Sequence, residues 1–287
     1  LNVVPGYGET AGRALALHRD VDAIAFTGSG AVGKLLLQYS GQSNMKRVSL
    51  ETGGKTPNII FADAPDLDFA IGAVGFSIFW NTGEMCLAGS RLLVEETVYD
   101  EVVGRLCDVA ADWQPGDPLD PATKAGPVVD ADQLDRVTGY IGIGLEEGAR
   151  LVTGGSRALE ETGGFFVEPT VFSGVDNSMR VAQEEIFGPV LSVIPFADED
   201  EALHIANDTD FGLAAAVWTS NLTRAHRMSR GLRAGTVWIN NFDQADISAP
   251  FGGFKQSGFG GKDKSLWAID KYTNLKTTWI NLGRGGR

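Results

Sequence analysis

Short apolar runs alternate with helical stretches along most of this chain, and that alternation restricts the possible folds more than any other feature. Asp22 to Phe26, Arg47 to Leu50, Pro57 to Phe61, Arg91 to Val94, Val190 to Pro195, Leu213 to Thr219 and Gly235 to Asn240 each read as a strand. Helical stretches lie around Glu9 to Leu17, Ala31 to Tyr39, Asp130 to Glu147, Glu199 to Asn207, Thr223 to Leu232 and near Lys264 to Lys271. Pro65 fits the first turn of a long helix running to about Trp80. Thr97 with Asp100 resembles a cap before Tyr99, Val102, Val103, Leu106, Val109, Ala110 and Trp113, which fall at helical spacing. Strands alternating with helices imply βαβ units and a mainly parallel sheet, an α/β fold. Pro115 to Pro127 reads as a surface connection and Pro250 to Gly261 as a glycine-rich return. Leu275 to Asn281 reads as a last, edge strand that needs a partner from elsewhere in the chain or from another subunit.

Charge and composition exclude several function classes. Lys plus Arg is 24 against 37 Asp plus Glu, a net charge of −13, which argues against nucleic-acid or acidic-membrane partners. The longest nearly apolar stretch, Ala70 to Trp80, falls far short of the ~20 residues of a spanning helix. Two cysteines cannot build a disulfide framework, and three scattered histidines offer no metal-ligand spacing, so no metal site is expected and a reducing cytoplasm fits. Glycine makes up 37 of 287 residues, about twice the usual ~7%, so many backbone positions need close approach or positive φ. Leu1 to Gly6 reads as a strand entering a turn with no initiating Met or leader before it, and the chain is expected to be a truncated piece.

Two local patterns carry candidate chemistry. Gly28-x-Gly30-x-x-Gly33 follows a strand and opens a helix, the arrangement in which backbone N–H groups hold a pyrophosphate. On its own the pattern fits simple turn geometry equally well. It would also make Glu51, some 20 residues on, a ribose ligand. Cys86 lies in a loop, Asn81 to Ser90, between a long helix and a strand, which suits a nucleophile, although an unpaired buried thiol is also common. Cys107 sits within an amphipathic helix and reads as a small hydrophobe.

Five segments taken together resemble, in order and spacing, the NAD(P)-dependent aldehyde dehydrogenases: Phe26-Thr27-Gly28-Ser29, Leu50 to Asn58, the Cys86 loop, Glu184 to Val190, and Pro250 to Gly258. The resemblance covers essentially the whole chain. It implies an aldehyde dehydrogenase-like catalytic domain, with a parallel sheet and flanking helices, beside an incomplete Rossmann-like cofactor domain. Residues 1–53 would be the remainder of the cofactor domain, 54–257 the catalytic domain, and 258–287 a return segment ending in an oligomerisation strand. Cys86 would be the nucleophile, forming a thiohemiacetal and then a thioester, and Glu51 becomes the general base rather than a ribose ligand. Gly28 and Ser29 would contact the pyrophosphate of NAD or NADP, Glu185 the nicotinamide ribose, and Phe187 would pack near that ring. The resemblance further implies a cytoplasmic homo-oligomer, a dimer or tetramer, acting on a small aldehyde.

Family members begin roughly two hundred residues earlier, with an asparagine of the oxyanion hole and a lysine of the cofactor site that have no counterpart here. The chain alone is therefore expected to be inactive and to associate. Glu84 and Met85 depart from the residues usual in the nucleophile loop. Asn240 to Asp246 and Gly260 to Leu266 look most like the γ-glutamyl-γ-aminobutyraldehyde and related aminoaldehyde dehydrogenases, so Asp246, with Glu84 near, would favour a cationic or amide-bearing ω-aldehyde. Phe79, Trp80 and Phe242 are candidates for aromatic walls. Two other readings stand beside this one. The first is a non-catalytic relative, of the kind that serves as lens crystallin. The second is a cysteine hydrolase, for which His18, His204 and His226 lack a triad-like context.

Overall fold

The computed structural model describes residues 1–283. A wide turn at Gly8–Gly12 runs into α1 (Arg13–Leu17), followed by β1 (Ala23–Thr27), α2 (Gly30–Gln42) and β2 (Arg47–Glu51). Next come β3 (Pro57–Ile60), α3 (Leu67–Phe79), β4 (Arg91–Glu95), α4 (Tyr99–Ala111), α5 (Ala131–Glu146) and β5 (Arg150–Thr153). A short hairpin of β6 (Arg157–Ala158) and β7 (Phe166–Val167) precedes β8 (Thr170–Ser173), α6 (Arg180–Gln183), β9 (Val190–Phe196) and α7 (Glu199–Asn207). The chain then forms β10 (Ala214–Trp218), α8 (Leu222–Gly231), β11 (Thr236–Ile239) and β12 (Gly258–Phe259), with a 3-10 turn at Leu266–Lys271.

The expected α/β class is realised as two main sheets. The larger has the order β11-β10-β3-β4-β9-β8-β5, and every neighbouring pair is parallel except β5 with β8. Starting from β3, the chain extends the sheet to both sides, which leaves both faces to be covered by crossover helices. Register lines up Val217, Ile59, Leu93 and Ile194 across four strands, and all four belong to the core shared with α5 to α8. The neighbouring row, Ala216, Asn58, Leu92 and Val193, faces α3 and α4. Asn58 is tolerated there because Ser77 accepts from its amide at 3.1 Å and Trp218 donates to it at 3.4 Å.

Arg91 is fully buried at the start of β4, and its donors close onto the carbonyls of Lys55, Ile205 and Ala206 and the side chain of Asn177. One guanidinium thus joins β3, β4 and the end of α7. The smaller sheet pairs β1 with β2 in parallel and β2 with β12 antiparallel. Its core is limited to Ala16, Leu36, Val48 and Leu50, with Ile24, Phe26 and Tyr39 against them. Among the described residues no helix is long and apolar enough to cross a membrane.

Several local expectations are corrected. Pro65 lies outside α3, whose N-cap is Asp66, accepting the Phe69 N–H at 2.9 Å. α4 begins without a side-chain cap, and Thr97 donates to Glu95 instead. The segment from Leu275 to Asn281 joins no ladder among the described residues, and Leu275, Trp279 and Ile280 are exposed. The expected helix near Lys264 to Lys271 is the 3-10 turn.

Candidate active site

A cleft of about 480 Å³ opens between the two sheets and is lined by Thr27, Gly28, Ser29, Glu51, Gly53, Cys86, Gln133, Arg136, Glu185 and Phe187. It brings together all six residues singled out in the sequence: Gly28, Ser29, Glu51, Cys86, Glu185 and Phe187. It lies beyond the carboxyl ends of β1 and β2, where loops of open α/β sheets gather ligand-binding groups.

The Gly28 pattern forms the turn from β1 into α2. Ser29 is the N-cap, its hydroxyl accepting the Val32 N–H at 3.3 Å, while Gly33 packs α2 closely on β2: a Cβ there would lie 3.1 Å from Leu50. The first-turn N–H groups of α2 lack intrahelical partners and carry the positive end of the helix dipole at the cleft. A phosphate group fits that chemistry.

Cys86 is set by a strained loop. After α3 ends, Asn81, Thr82 and Gly83 all take positive φ (50°, 54° and 72°), and such values are unusual for a β-branched threonine. Glu84 locks this turn, with one carboxylate oxygen accepting the Val129 N–H at 3.1 Å and the other the Thr82 hydroxyl at 3.0 Å. Its charge is thereby engaged at the entry to α5, which corrects the expectation that it serves the substrate pocket. Burial pushes the Cys86 thiol up, the charges of Glu185 and Glu51 push the same way, and the backbone N–H groups of Cys86 and Leu87 oppose them. Those two N–H groups are also donors that a developing oxyanion beside the sulfur can use. Cys107 lies on α4, its thiol turned to the Val103 carbonyl at 3.6 Å.

Glu51 ends β2 in a buried position, and one of its carboxylate oxygens has no hydrogen-bond partner among the described residues. Burial raises its pKa to about 7 against the opposing pull of Lys262, the Gly253 N–H and Lys271. The return segment builds this environment: Thr52 donates its N–H to the Ser257 carbonyl at 3.0 Å, and the Ser257 hydroxyl donates to the Gly53 carbonyl at 2.7 Å. That same hydroxyl accepts the Gly212 N–H at 3.0 Å. Glu185 approaches so near that a Cβ on Gly53 would collide with its carboxylate, and the Gly54 N–H donates to it at 3.2 Å. The glycine pair therefore serves close approach. Phe187 holds a φ of 61°, a strained backbone of the kind that collects at functional sites.

Sequence reasoning missed Gln133 and Arg136, which fall within the expected helix of Asp130 to Glu147 and carry no motif. Arg136 donates to the carbonyls of Glu185 and Ile186, and Gln133 to those of Ile186 and Phe187, so α5 holds the loop that carries both expected cofactor residues. Lys55 was also missed: it is fully buried, its amine has no hydrogen-bond partner among the described residues, and burial pushes it down to about 7. Asp246 is exposed and accepts from the N–H and hydroxyl of Ser248. It does not line the cleft, and neither do Phe242, which packs on Trp238, nor the three histidines. Among the described residues no cluster of His, Cys, Asp and Glu could hold a metal ion.

Comparison with known proteins agrees with this geometry. The family model described as the aldehyde dehydrogenase family matches residues 1–278. The NADP/NAD-dependent aldehyde dehydrogenase PuuC of Escherichia coli (strain K12) is 52% identical over 282 residues, covering 98% of this chain and 56% of that protein. A γ-glutamyl-γ-aminobutyraldehyde dehydrogenase structure from Burkholderia cenocepacia superimposes with a TM-score of 0.94 at 60% identity, covering 98% of this chain and 56% of that one. The indole-3-acetaldehyde dehydrogenase AldA of P. syringae, a mutant solved with NAD+ and IAA, gives 0.95 at 59% identity over 97% and 56%. The chain thus spans about half the length of the curated relatives it matches.

Proposed function

Because the chain belongs to the aldehyde dehydrogenase family, we propose that the protein carrying it oxidises an aldehyde to a carboxylic acid through Cys86. The observation that supports this most is the convergence of Cys86, Glu51 and Glu185 on one cleft. The thiolate of Cys86 adds to the carbonyl carbon, the C=O electron pair moves to oxygen, and the Cys86 and Leu87 N–H groups stabilise the charge. A bound NAD or NADP supplies the acceptor for the hydride that leaves the former aldehyde carbon. The C=O bond reforms as a thioester, and a water molecule attacks it while Glu51 takes the water proton. The C–S bond then breaks, releasing the acid and the Cys86 thiolate. A carboxylate with a pKa of about 7 suits a base working near neutral pH.

The residues present fit the cofactor. The N-terminus of α2, with Gly28 and Ser29, suits a pyrophosphate, and the Glu185 carboxylate, held at the Gly53–Gly54 pair, suits a ribose diol. On this reading residues 1–53 serve the cofactor, 54–257 the chemistry, and the remainder returns to the cofactor side and meets a second copy. The exposed Leu275, Trp279 and Ile280 support such association, and two free thiols suit a reducing cytoplasm. For substrate we favour an ω-amino or amide-bearing aldehyde, on the likeness to the Burkholderia enzyme. A higher kcat/KM for indole-3-acetaldehyde than for γ-glutamyl-γ-aminobutyraldehyde would reverse that choice.

The mechanism is tested with Glu51→Gln in the protein that carries this chain. Acylation and hydride transfer need no water, so a first-turnover burst of reduced cofactor should survive while steady turnover falls by ~10²-fold or more. A variant that loses the burst together with turnover would assign Glu51 to activating Cys86 instead.

A further inference from the structure

Lys262 stands behind Glu51, separated from it by a single peptide unit. Gly252 has a φ of 145°, and a Cβ built on it would lie 2.5 Å from Glu51 Oε1 on one side and 2.9 Å from Lys262 Cδ on the other. The Lys262 ammonium donates to the Gly252 carbonyl and, at 3.3 Å, to the Gly253 carbonyl, and lies 5.0 Å from the centre of the Phe254 ring. The N–H of the same peptide unit, that of Gly253, lies on the side of the Glu51 carboxylate and draws its pKa down. A cation on the carbonyl end of a peptide strengthens the N–H at its other end, because hydrogen bonds in a chain polarise one another. Bound to two carbonyls and a ring face, the ammonium has little freedom to swing elsewhere.

Resting on the reading of Glu51 as the base, we propose that Lys262 is its positioning residue: clamped on the Gly252 and Gly253 carbonyls, it holds the peptide unit that packs against the Glu51 carboxylate and so keeps that carboxylate in place at the cleft. The other groups facing Glu51 are Lys271, paired with Asp263; Tyr272, which with Asp263 lines a cavity of about 170 Å³ on its far side; and Cys86, Glu185 and Arg136 in the cleft. These stay in place when Lys262 alone is changed, so the comparison isolates one charge.

The test uses Lys262→Gln, which keeps a donor and removes the charge, and Lys262→Arg, which keeps the charge. Lys262→Met, preserving the stem against Gly252, replaces the first should it not fold. Isotope-edited infrared titration of the Glu51 carboxyl, assigned with Glu51→Gln, reads its ionisation with no substrate or cofactor bound. Loss of the charge should move the midpoint up by about one pH unit, while Lys262→Arg stays within ~0.3 unit of wild type. Steady turnover of the uncharged variant should fall about fivefold at pH 7 and recover by pH 9, with the burst intact. An unmoved infrared midpoint, or an equal movement in Lys262→Arg, would overturn the proposal. A moved infrared midpoint with an unmoved turnover profile would uphold the Lys262 pairing and remove Glu51 from the role of base.

Discussion

The seven-stranded sheet carries helices on both faces and buries rows such as Val217, Ile59, Leu93 and Ile194 almost completely, whereas the three-stranded sheet packs with α1 and α2 around a small apolar core that, among the described residues, is Ala16, Leu36, Val48 and Leu50. The cleft lies where they meet. Cys86 and Glu185 come from the thick side, while Glu51 and the start of α2 come from the thin side. Packing and cleft residues are therefore unevenly shared: one region can lose a methyl group only at high cost, while the other holds Glu51 and the start of α2 on little packing.

The largest effect should separate chemistry from frame. Cys86→Ala is expected to lower turnover by ~10⁴-fold or more, with urea unfolding unchanged within ~0.5 kcal/mol. Residual activity within tenfold of wild type would show that the cleft is not organised around this thiol. Within the frame, Ile59→Ala, at the centre of the large sheet, should cost about 3 kcal/mol, and Leu36→Ala, in the thin region, about 1.5 kcal/mol. Equal losses in urea titrations would erase the contrast. Trp279→Ala, on the exposed tail, should change stability by less than ~0.5 kcal/mol in a monomeric preparation.

Lys55 sharpens the same comparison through pH. Its folded value of about 7 lies below the ordinary 10.5, so the stability linked to its neutral form is present at high pH and lost as pH falls towards 7. Lys55→Met removes that dependence. Relative to wild type it should gain about 2 kcal/mol between pH 9 and pH 7 and nothing further below pH 6, read from unfolding curves at each pH. A difference independent of pH would place a partner on the amine.

Much of this was legible in the sequence, for identifiable reasons. Strands buried on both faces are continuous apolar runs, so β3, β4, β9 and β10 stand out, and Cys86, Glu51 and Glu185 sit in short segments rich in glycine and proline. The stretch from Arg150 to Ser173 did not, because β5 to β8 are two to four residues long and no run of that length shows a period. Leu275 to Asn281 has a strand's alternation, yet a strand is defined by its neighbour, and sequence does not display neighbours. Gln133 and Arg136 stayed hidden because they donate to backbone carbonyls, which carry no residue identity.

The Ser257 hydroxyl links Gly53 and Gly212, positions 204 and 45 residues away along the chain. Contacts of such sequence separation close large loops and form late in folding, and during synthesis they must wait for the distal partner to be made. Cys86 leaves the ribosome long before residue 257, so the segments around it can begin to fold while the Glu51 pocket is still open. The Glu51 pocket closes only once Ser257 has been made, and a nascent polypeptide stalled before that point holds the Cys86 thiol beside an unfinished carboxylate site.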